Sequence, residues 1–428
     1  MSVPAADRHE SERRPELGAL IALGAGELRD AVLGIGALHQ AVAARAFGAA
    51  GARSSPAGRV HRQVAHASYT AVGTGVALAG DALAAAARHW PAPAAAGSDQ
   101  PHELSRDPRG ATLIAIIDGL IGDALEEQDS PLALPMSVRV DGRAVELDAA
   151  ALADAFPAAT GRLCVFVHGL METEHAWRRG TEEPYATALQ RELGLTPIEL
   201  RLNTGRRVSS NGRALCELMQ RLNDSWPCPV EQIAFVGHSM GGLVARSACH
   251  HAAGEGVPWV SSVRQLVSLG TPHHGAPLEQ GVHVASAALD LLPETRPISR
   301  LLRRRSGGIR DLRRGSLVDE DWSGRDPDAL RAAAVAEVPL LAGATHCFVA
   351  ATVTRDPRHP LGRLVGDALV LSASASGWGR TRRLPFADEH GLLIGGANHF
   401  ALLNHPEVHR RLREWLAEPA PPHAVAAR

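Results

Sequence analysis

The sequence predicts a doubly wound α/β fold built on a mostly parallel sheet, and three observations carry that expectation. Continuous apolar runs recur along the chain, as in Arg162-Leu163-Cys164-Val165-Phe166-Val167 and again over 232–236. Runs without polar alternation are what strands buried on both faces require. Segments with helical spacing lie between several of them, at 185–192, 212–223 and 242–253. The third observation is Gly237-His238-Ser239-Met240-Gly241-Gly242, which arrives directly after the apolar run 232–236 and ahead of Leu243-Val244-Ala245-Arg246. A strand that turns at once into a helix strains the backbone of its corner residue. It leaves no room for side chains two positions away, hence glycine at 237 and 241.

Taken in order, the chain opens on a charged stretch, MSVPAADRHESERRPE, without a signal-peptide core. Residues 16–90 read as two helices separated by a Gly/Ser/Pro-rich turn, and a Pro/Ala/Gly-rich loop occupies 90 to 108. A third helix over 111–127 places Leu113, Ile114, Ile116, Ile117, Leu120, Ile121 and Leu125 on a broad apolar face. Residues 1–130 therefore read as a helical N-terminal extension, a cap or brace on a catalytic domain. The Ala/Gly/Leu-rich stretches 17–51 and 65–87 contain charges such as Glu27, Asp30 and Asp81. Neither offers the ~18 uncharged apolar residues of a membrane span, so a cytoplasmic protein is expected.

From Pro135 the pattern changes to that of the catalytic domain, assigned to 131–428. Ser137-Val138-Arg139-Val140 and Arg143-Ala144-Val145-Glu146-Leu147 alternate around Asp141-Gly142, a hairpin expected at the antiparallel edge of the sheet. A short helix over 148–156 leads to the strand ending at Val167. Further strands are expected at 197–202, 232–236, 263–269 and 346–352, and a last helix starts at Pro406. The interval 277–345 is too long for a simple crossover. Its helical pieces at 282–292, 298–305 and around 328–336 mark a cap or lid insertion.

Composition excludes several classes. A net charge of -2 supplies no field for nucleic acid. Lysine is absent and alanine abundant, a usage that reflects base composition and not function. The five cysteines, Cys164, Cys216, Cys228, Cys249 and Cys347, are odd in number and mostly sit in buried patterns. They read as small core residues, although Cys216 and Cys228 could pair in an exported protein. His273 and His274 are adjacent in an extended loop, where neighbouring side chains diverge, and no third ligand stands at zinc spacing. No metal or cofactor is expected; the two histidines read as rim residues of a pocket.

The corner at Ser239 calls for acyl-transfer chemistry, which needs a base, an acid to orient it and two amide donors for an oxyanion. On such a sheet the chain order is serine, acid, histidine. Val167-His168-Gly169-Leu170 closes a strand with a glycine that lets backbone face a substrate, so the donors are the amides of Leu170 and Met240. His168 precedes the nucleophile strand and fits a loop-shaping or substrate-lining role, together with Gly169, His238 and His273. His399 comes after the diglycine Gly395-Gly396 and is favoured as base over His405, which stands against Pro406 at a helix start. For the acid, Asp367 lies between Gly366 and an apolar anchor, Ala368-Leu369-Val370; Asp356 and Asp388 are its rivals.

The blocks FVHGL, GHSMGGLVAR, VSLGTPHHGAP, GDALV and NHFALLNHPEV resemble the α/β-hydrolase lipases and esterases, in particular the branch of GPI inositol-deacylase-like enzymes and triacylglycerol lipases. The resemblance covers residues 135–417. It implies Ser239 as nucleophile, Asp367 as acid, His399 as base and the Leu170 and Met240 amides at the oxyanion. It further implies a serine carboxylic-ester hydrolase acting on small-molecule or lipid esters, with contact to a membrane or micelle surface open. An acyltransferase or thioesterase would use the same residues, and a non-catalytic scaffold has no chemical need of all of them. The departure is at the acid, where such lipases often carry Gly-Asp-Gly and this chain has Gly366-Asp367-Ala368.

Overall fold

The computed structural model describes residues 16–30, 33, 37, 40, 44, 55–89, 105–276, 305–325, 335–379 and 382–417. The helical pieces expected at 282–292, 298–305 and around 328–336 lie outside the described residues, apart from Arg305 and residues 335 and 336. Residues 16–30 are helical. The helices after them are α1 (Pro56–His89), α2 (Pro108–Glu127), α3 (Ala149–Ala155), α4 (Tyr185–Leu193), α5 (Val208–Ser225), α6 (Met240–Glu255), α7 (Gly307–Leu312), α8 (Pro360–Val365), α9 (Ser372–Ala375) and α10 (Pro406–Ala417). The strands are β1 (Ser137–Val140), β2 (Arg143–Val145), β3 (Arg162–Val167), β4 (Thr196–Arg201), β5 (Gln232–His238), β6 (Val263–Leu269), β7 (Thr345–Thr352) and β8 (Gly391–Gly395).

All eight strands join one sheet in the order β2-β1-β4-β3-β5-β6-β7-β8. β1 runs antiparallel to β2 and to β4, and every other pairing is parallel. The Asp141-Gly142 turn thus makes the edge hairpin, both residues adopting positive φ. The central runs are apolar throughout because both faces are covered. Leu163, Val165, Val167, Ile233 and Phe235 share a core with Leu215, Met219 and Leu222 of α5 and Leu243 and Val244 of α6. The alternate residues Cys164, Phe166, Ala234 and Val236 face Tyr185 and Leu189 of α4 and Val408, Leu412 and Trp415 of α10. At about 1.5–3 kcal/mol per buried large apolar side chain, these two layers are the main stabilising term. All five cysteines are free thiols and only Cys228 is not fully buried.

The described residues fall into two compact units. One lies within the first 110 residues, together with 127–132. In it Gly80 is so close to the 16–30 helix that a Cβ would stand 2.0 Å from that of Ala25. The other holds the sheet and also Ala111–Glu126 of α2, although the sequence pattern placed the boundary at 130. The reason is local: Ile114, Ala115 and Leu125 are buried, Asn203 Nδ2 donates to Gly122 O (2.9 Å), and Ser306 Oγ donates to Gly119 O (2.6 Å).

The described parts of the 277–345 interval are tied to the sheet unit. Asp311 accepts from Arg207 Nη1 (2.7 Å) and from the Val208 amide (2.8 Å), and Ser247 Oγ donates to Leu317 O (2.6 Å).

Asp118 of α2 is the outlier of this unit. It is buried, and its Oδ1 has no hydrogen-bond partner among the described residues. Burial raises its pKa to about 8, so the folded protein keeps it protonated at pH values where the unfolded chain ionises it. Its stability cost therefore grows as pH rises from about 4 to about 8 and is constant above. Asp118→Asn should raise the melting temperature at pH 8 by ~2 °C or more and change it little at pH 4. Equal melting of the two proteins at pH 8 would rule out this ionisation cost.

Candidate active site

The corner after β5 forces Ser239 to φ 52°, ψ −121°, a conformation that non-glycine residues rarely hold. Space explains the glycines around it. A Cβ on Gly237 would lie 2.5 Å from the Gly242 amide nitrogen, and one on Gly241 would lie 2.1 Å from the Val167 carbonyl oxygen. Ser239 therefore caps the N-terminal end of α6, whose free amides favour developing negative charge.

Asp367 and His399 meet. His399 Nδ1 donates to Asp367 Oδ2 at 2.7 Å, and both side chains are buried. The other carboxylate oxygen accepts the amides of Leu369 (3.0 Å) and Val370 (2.8 Å), while the Asp367 carbonyl accepts the His399 amide (3.0 Å). The apolar anchor read after Asp367 thus supplies its amides. With Nδ1 protonated toward the carboxylate, Nε2 keeps its lone pair. Gly270 makes room for the ring, since a Cβ there would come within 3.1 Å of His399 Nδ1.

The rivals are engaged elsewhere. Asp356 is exposed and accepts the Arg358 amide (2.9 Å), and Asp388 lies exposed in a 3-10 turn. His405 accepts the Glu407 amide at the start of α10 (3.2 Å) and is held by Tyr185 Oη. His405 is therefore a helix cap.

The residues grouped as substrate-lining divide. Gly169 packs on the serine, where a Cβ would stand 3.0 Å from Ser239 Cβ. His168 is fully buried with both ring nitrogens spent: Nδ1 on Gly169 O (2.9 Å) and Nε2 accepting the Leu202 amide (3.2 Å). It shapes the loop and has no nitrogen left for a substrate. His273 lies beneath the surface and not on a rim, its Nδ1 3.2 Å from Arg246 Nη1. Burial, with Arg246 adding to it, keeps its pKa well below the usual value.

His238 is also inaccessible, and its partner Glu172 is the residue that sequence reasoning missed. His238 Nδ1 lies 2.8 Å from Glu172 Oε2, and its Nε2 lies 3.2 Å from the His399 carbonyl oxygen. Glu172 Oε2 also accepts the Gly169 amide at 2.8 Å. Burial opposes both charges, but each partner more than compensates the other: Glu172 falls to about 2 and His238 rises above its ordinary value. The ring thus bridges the loop after β3, through Glu172, and the loop after β8, through the His399 carbonyl. Only the acidic residue three positions after a strand-end glycine hinted at this role.

Residues 199–297 match the family described as PGAP1-like alpha/beta domain. The chain has the α/β-hydrolase fold. Among solved structures this hydrolase-fold chain is similar to the mature lipase BlEst2 of Bacillus licheniformis, at 20% identity over 60% of this chain and 91% of that one (TM-score 0.38). It is also similar to a hyperthermophilic esterase of Pyrobaculum calidifontis (13%, 60% and 74%, TM-score 0.36) and to EstA of Clostridium botulinum (13%, 60% and 87%, TM-score 0.35). No curated protein is a significant match to the chain. Among the described residues no helix is long and apolar enough to cross a membrane, and no group of three or more His, Cys, Asp or Glu is placed to hold a metal ion.

Two measurements probe this geometry. The Glu172 contribution is present above its unfolded value of 4.5 and is lost as pH falls toward about 2; that of His238 is present below 6.5 and is lost as pH rises past its raised folded value. Glu172→Gln should therefore destabilise by about 3 kcal/mol, most between pH 5 and 6.5, measured by denaturant unfolding across pH. A flat difference from pH 3 to 9 would deny the pair its charge. Ala368 adopts φ 84°, a left-handed conformation that glycine enters without strain and a residue bearing a Cβ does not. Ala368→Gly should stabilise by about 1 kcal/mol; a loss of stability would count against strain at this position.

Proposed function

We propose that the chain is a serine carboxylic-ester hydrolase. The observation that carries this reading is the buried 2.7 Å bond from His399 Nδ1 to Asp367 Oδ2, formed in the loops beside a serine held in the strained φ of a nucleophile elbow. In this reading Ser239 Oγ attacks the ester carbonyl and passes its proton to His399 Nε2. The tetrahedral oxyanion is received by the amides of Leu170 and Met240, and His399 returns the proton to the departing alcohol. Water, activated by the same imidazole, then releases the acid. Asp367 fixes the tautomer and stabilises the imidazolium without taking the proton.

The packing supports the oxyanion assignment. Gly169 lies against Ser239 Cβ and its own amide is occupied by Glu172, which leaves the following amide, that of Leu170, as the donor this reading assigns from the loop. The buried environment around Asp367 and His399 strengthens each charge-assisted bond.

Steady-state hydrolysis of a panel of esters graded in acyl length, with labelling by a fluorophosphonate, tests the reading. Ser239→Ala should lose both labelling and turnover, by on the order of 10⁴-fold or more. Asp367→Asn should lower kcat about 10²- to 10⁴-fold, while Asp356→Asn and Asp388→Asn do much less. Turnover of Ser239→Ala at the wild-type rate would overturn the assignment.

A further inference from the structure

The excursion between β7 and Asp367, residues 353–365, is built inside out. Its short helix α8 turns Gly362 inward: a Cβ there would lie 2.2 Å from Thr354 Oγ1 and 3.3 Å from Thr352 Cβ, so only glycine lets the helix sit this close. Fixing glycine on the inner side puts the apolar residues outside. Leu361 is 60% exposed, Leu364 74%, Val365 48% and Val353 43%. An amphipathic surface helix normally hides these residues and shows its glycine. Neighbouring exposed leucines at the tip of one loop are a patch that water disfavours.

The charges around the patch choose the partner. Arg355, Arg358 and Arg363 are exposed, and none pairs with a carboxylate among the described residues. The single acid of the excursion is Asp356, whose Oδ1 is engaged by the Arg358 amide. A basic, apolar tip therefore stands out from a chain whose net charge is -2. Four apolar side chains are far fewer than the roughly 20–30 residues a side of a stable protein interface. They suit shallow insertion among acyl chains, with guanidinium groups at the headgroup level.

The patch also lies close to the candidate active site. The Thr354 carbonyl accepts the Gly396 amide (2.8 Å) and the Thr352 carbonyl accepts the Ala397 amide (3.0 Å). A Cβ on Gly395 would meet the Arg355 carbonyl at 2.0 Å. The excursion thus lies against the loop that carries His399 and runs directly into Asp367. We propose that residues 353–365 form a docking surface for an anionic lipid interface, seating the protein with its Asp367–His399 side toward the bilayer. This surface does not depend on the ester-hydrolase reading, because binding is read without turnover.

Cosedimentation with phosphatidylcholine vesicles, with and without phosphatidylglycerol, tests it on the full chain. The wild-type chain should bind the phosphatidylglycerol vesicles, and added salt should weaken that binding. Leu361→Asp combined with Leu364→Asp should cut it about tenfold or more, while melting and hydrolysis of a soluble monomeric ester stay unchanged. Arg358→Glu combined with Arg363→Glu should abolish the preference for phosphatidylglycerol. Vesicle binding unaffected by the leucine pair would overturn the proposal. So would a concentration-dependent dimer that those leucine substitutions dissolve, which would assign the patch to self-association.

Discussion

The buried ion pair between Glu172 and His238 is the constraint on which the rest of the site depends. One carboxylate oxygen holds both the Gly169 amide and the His238 ring, and the far side of that ring holds the His399 carbonyl. The loops after β3 and β8 and the C-terminal end of β5 are thus joined through two side chains. A buried pair of this kind contributes little net stability compared with an apolar replacement, because desolvation offsets the attraction. What it supplies is position. An apolar pair of the same volume would fill the space but could not bond two backbone groups on opposite sides. Trp177, itself fully buried, meets the His238 ring nearly perpendicular, at 77°.

Sterics set the second constraint. Where β5 runs into α6, Gly237 and Gly241 face backbone atoms and Gly242 faces Thr271, closer than any Cβ permits. The same economy recurs at Gly212, where α5 and α6 approach so closely that a Cβ would lie 2.2 Å from Ser247 Oγ. The serine is consequently held by a framework that cannot relax locally, which is how a strained φ persists in a folded protein.

Much of this was legible in the sequence because it is written in short-range patterns. The apolar runs of β3 and β5, the Asp-Gly hairpin and the glycine spacing around Ser239 are each readable from a few adjacent residues. The pairing of Asp367 with His399 was legible through chain order. Less legible was whatever depends on partners far apart. Glu172 reads as one acid among many until His238, 66 residues on, is seen beside it. Strand β8, with its Gly-Leu-Leu-Ile-Gly run, is short and glycine-flanked and reads as loop until β7 supplies its ladder. Ala111–Glu126 looks like a continuation of the helices before it, and only the carbonyls of Gly119 and Gly122 reveal that it belongs with the sheet.

The strand order has a consequence for how the chain comes to its native state. β6 ends at Leu269 and its parallel neighbour β7 begins at Thr345, while His399 bonds to His238 across 161 residues of sequence. Closing such long loops is entropically slow, and during synthesis the hydrogen-bonding edge of β6 emerges well before the strand that covers it. The chain therefore passes through a stage with an open, apolar strand edge, the kind of surface on which nascent proteins aggregate or engage chaperones. The site is completed late, because the loop bearing His399 and α10, which seals one layer of the core, leave the ribosome only after every strand of the sheet.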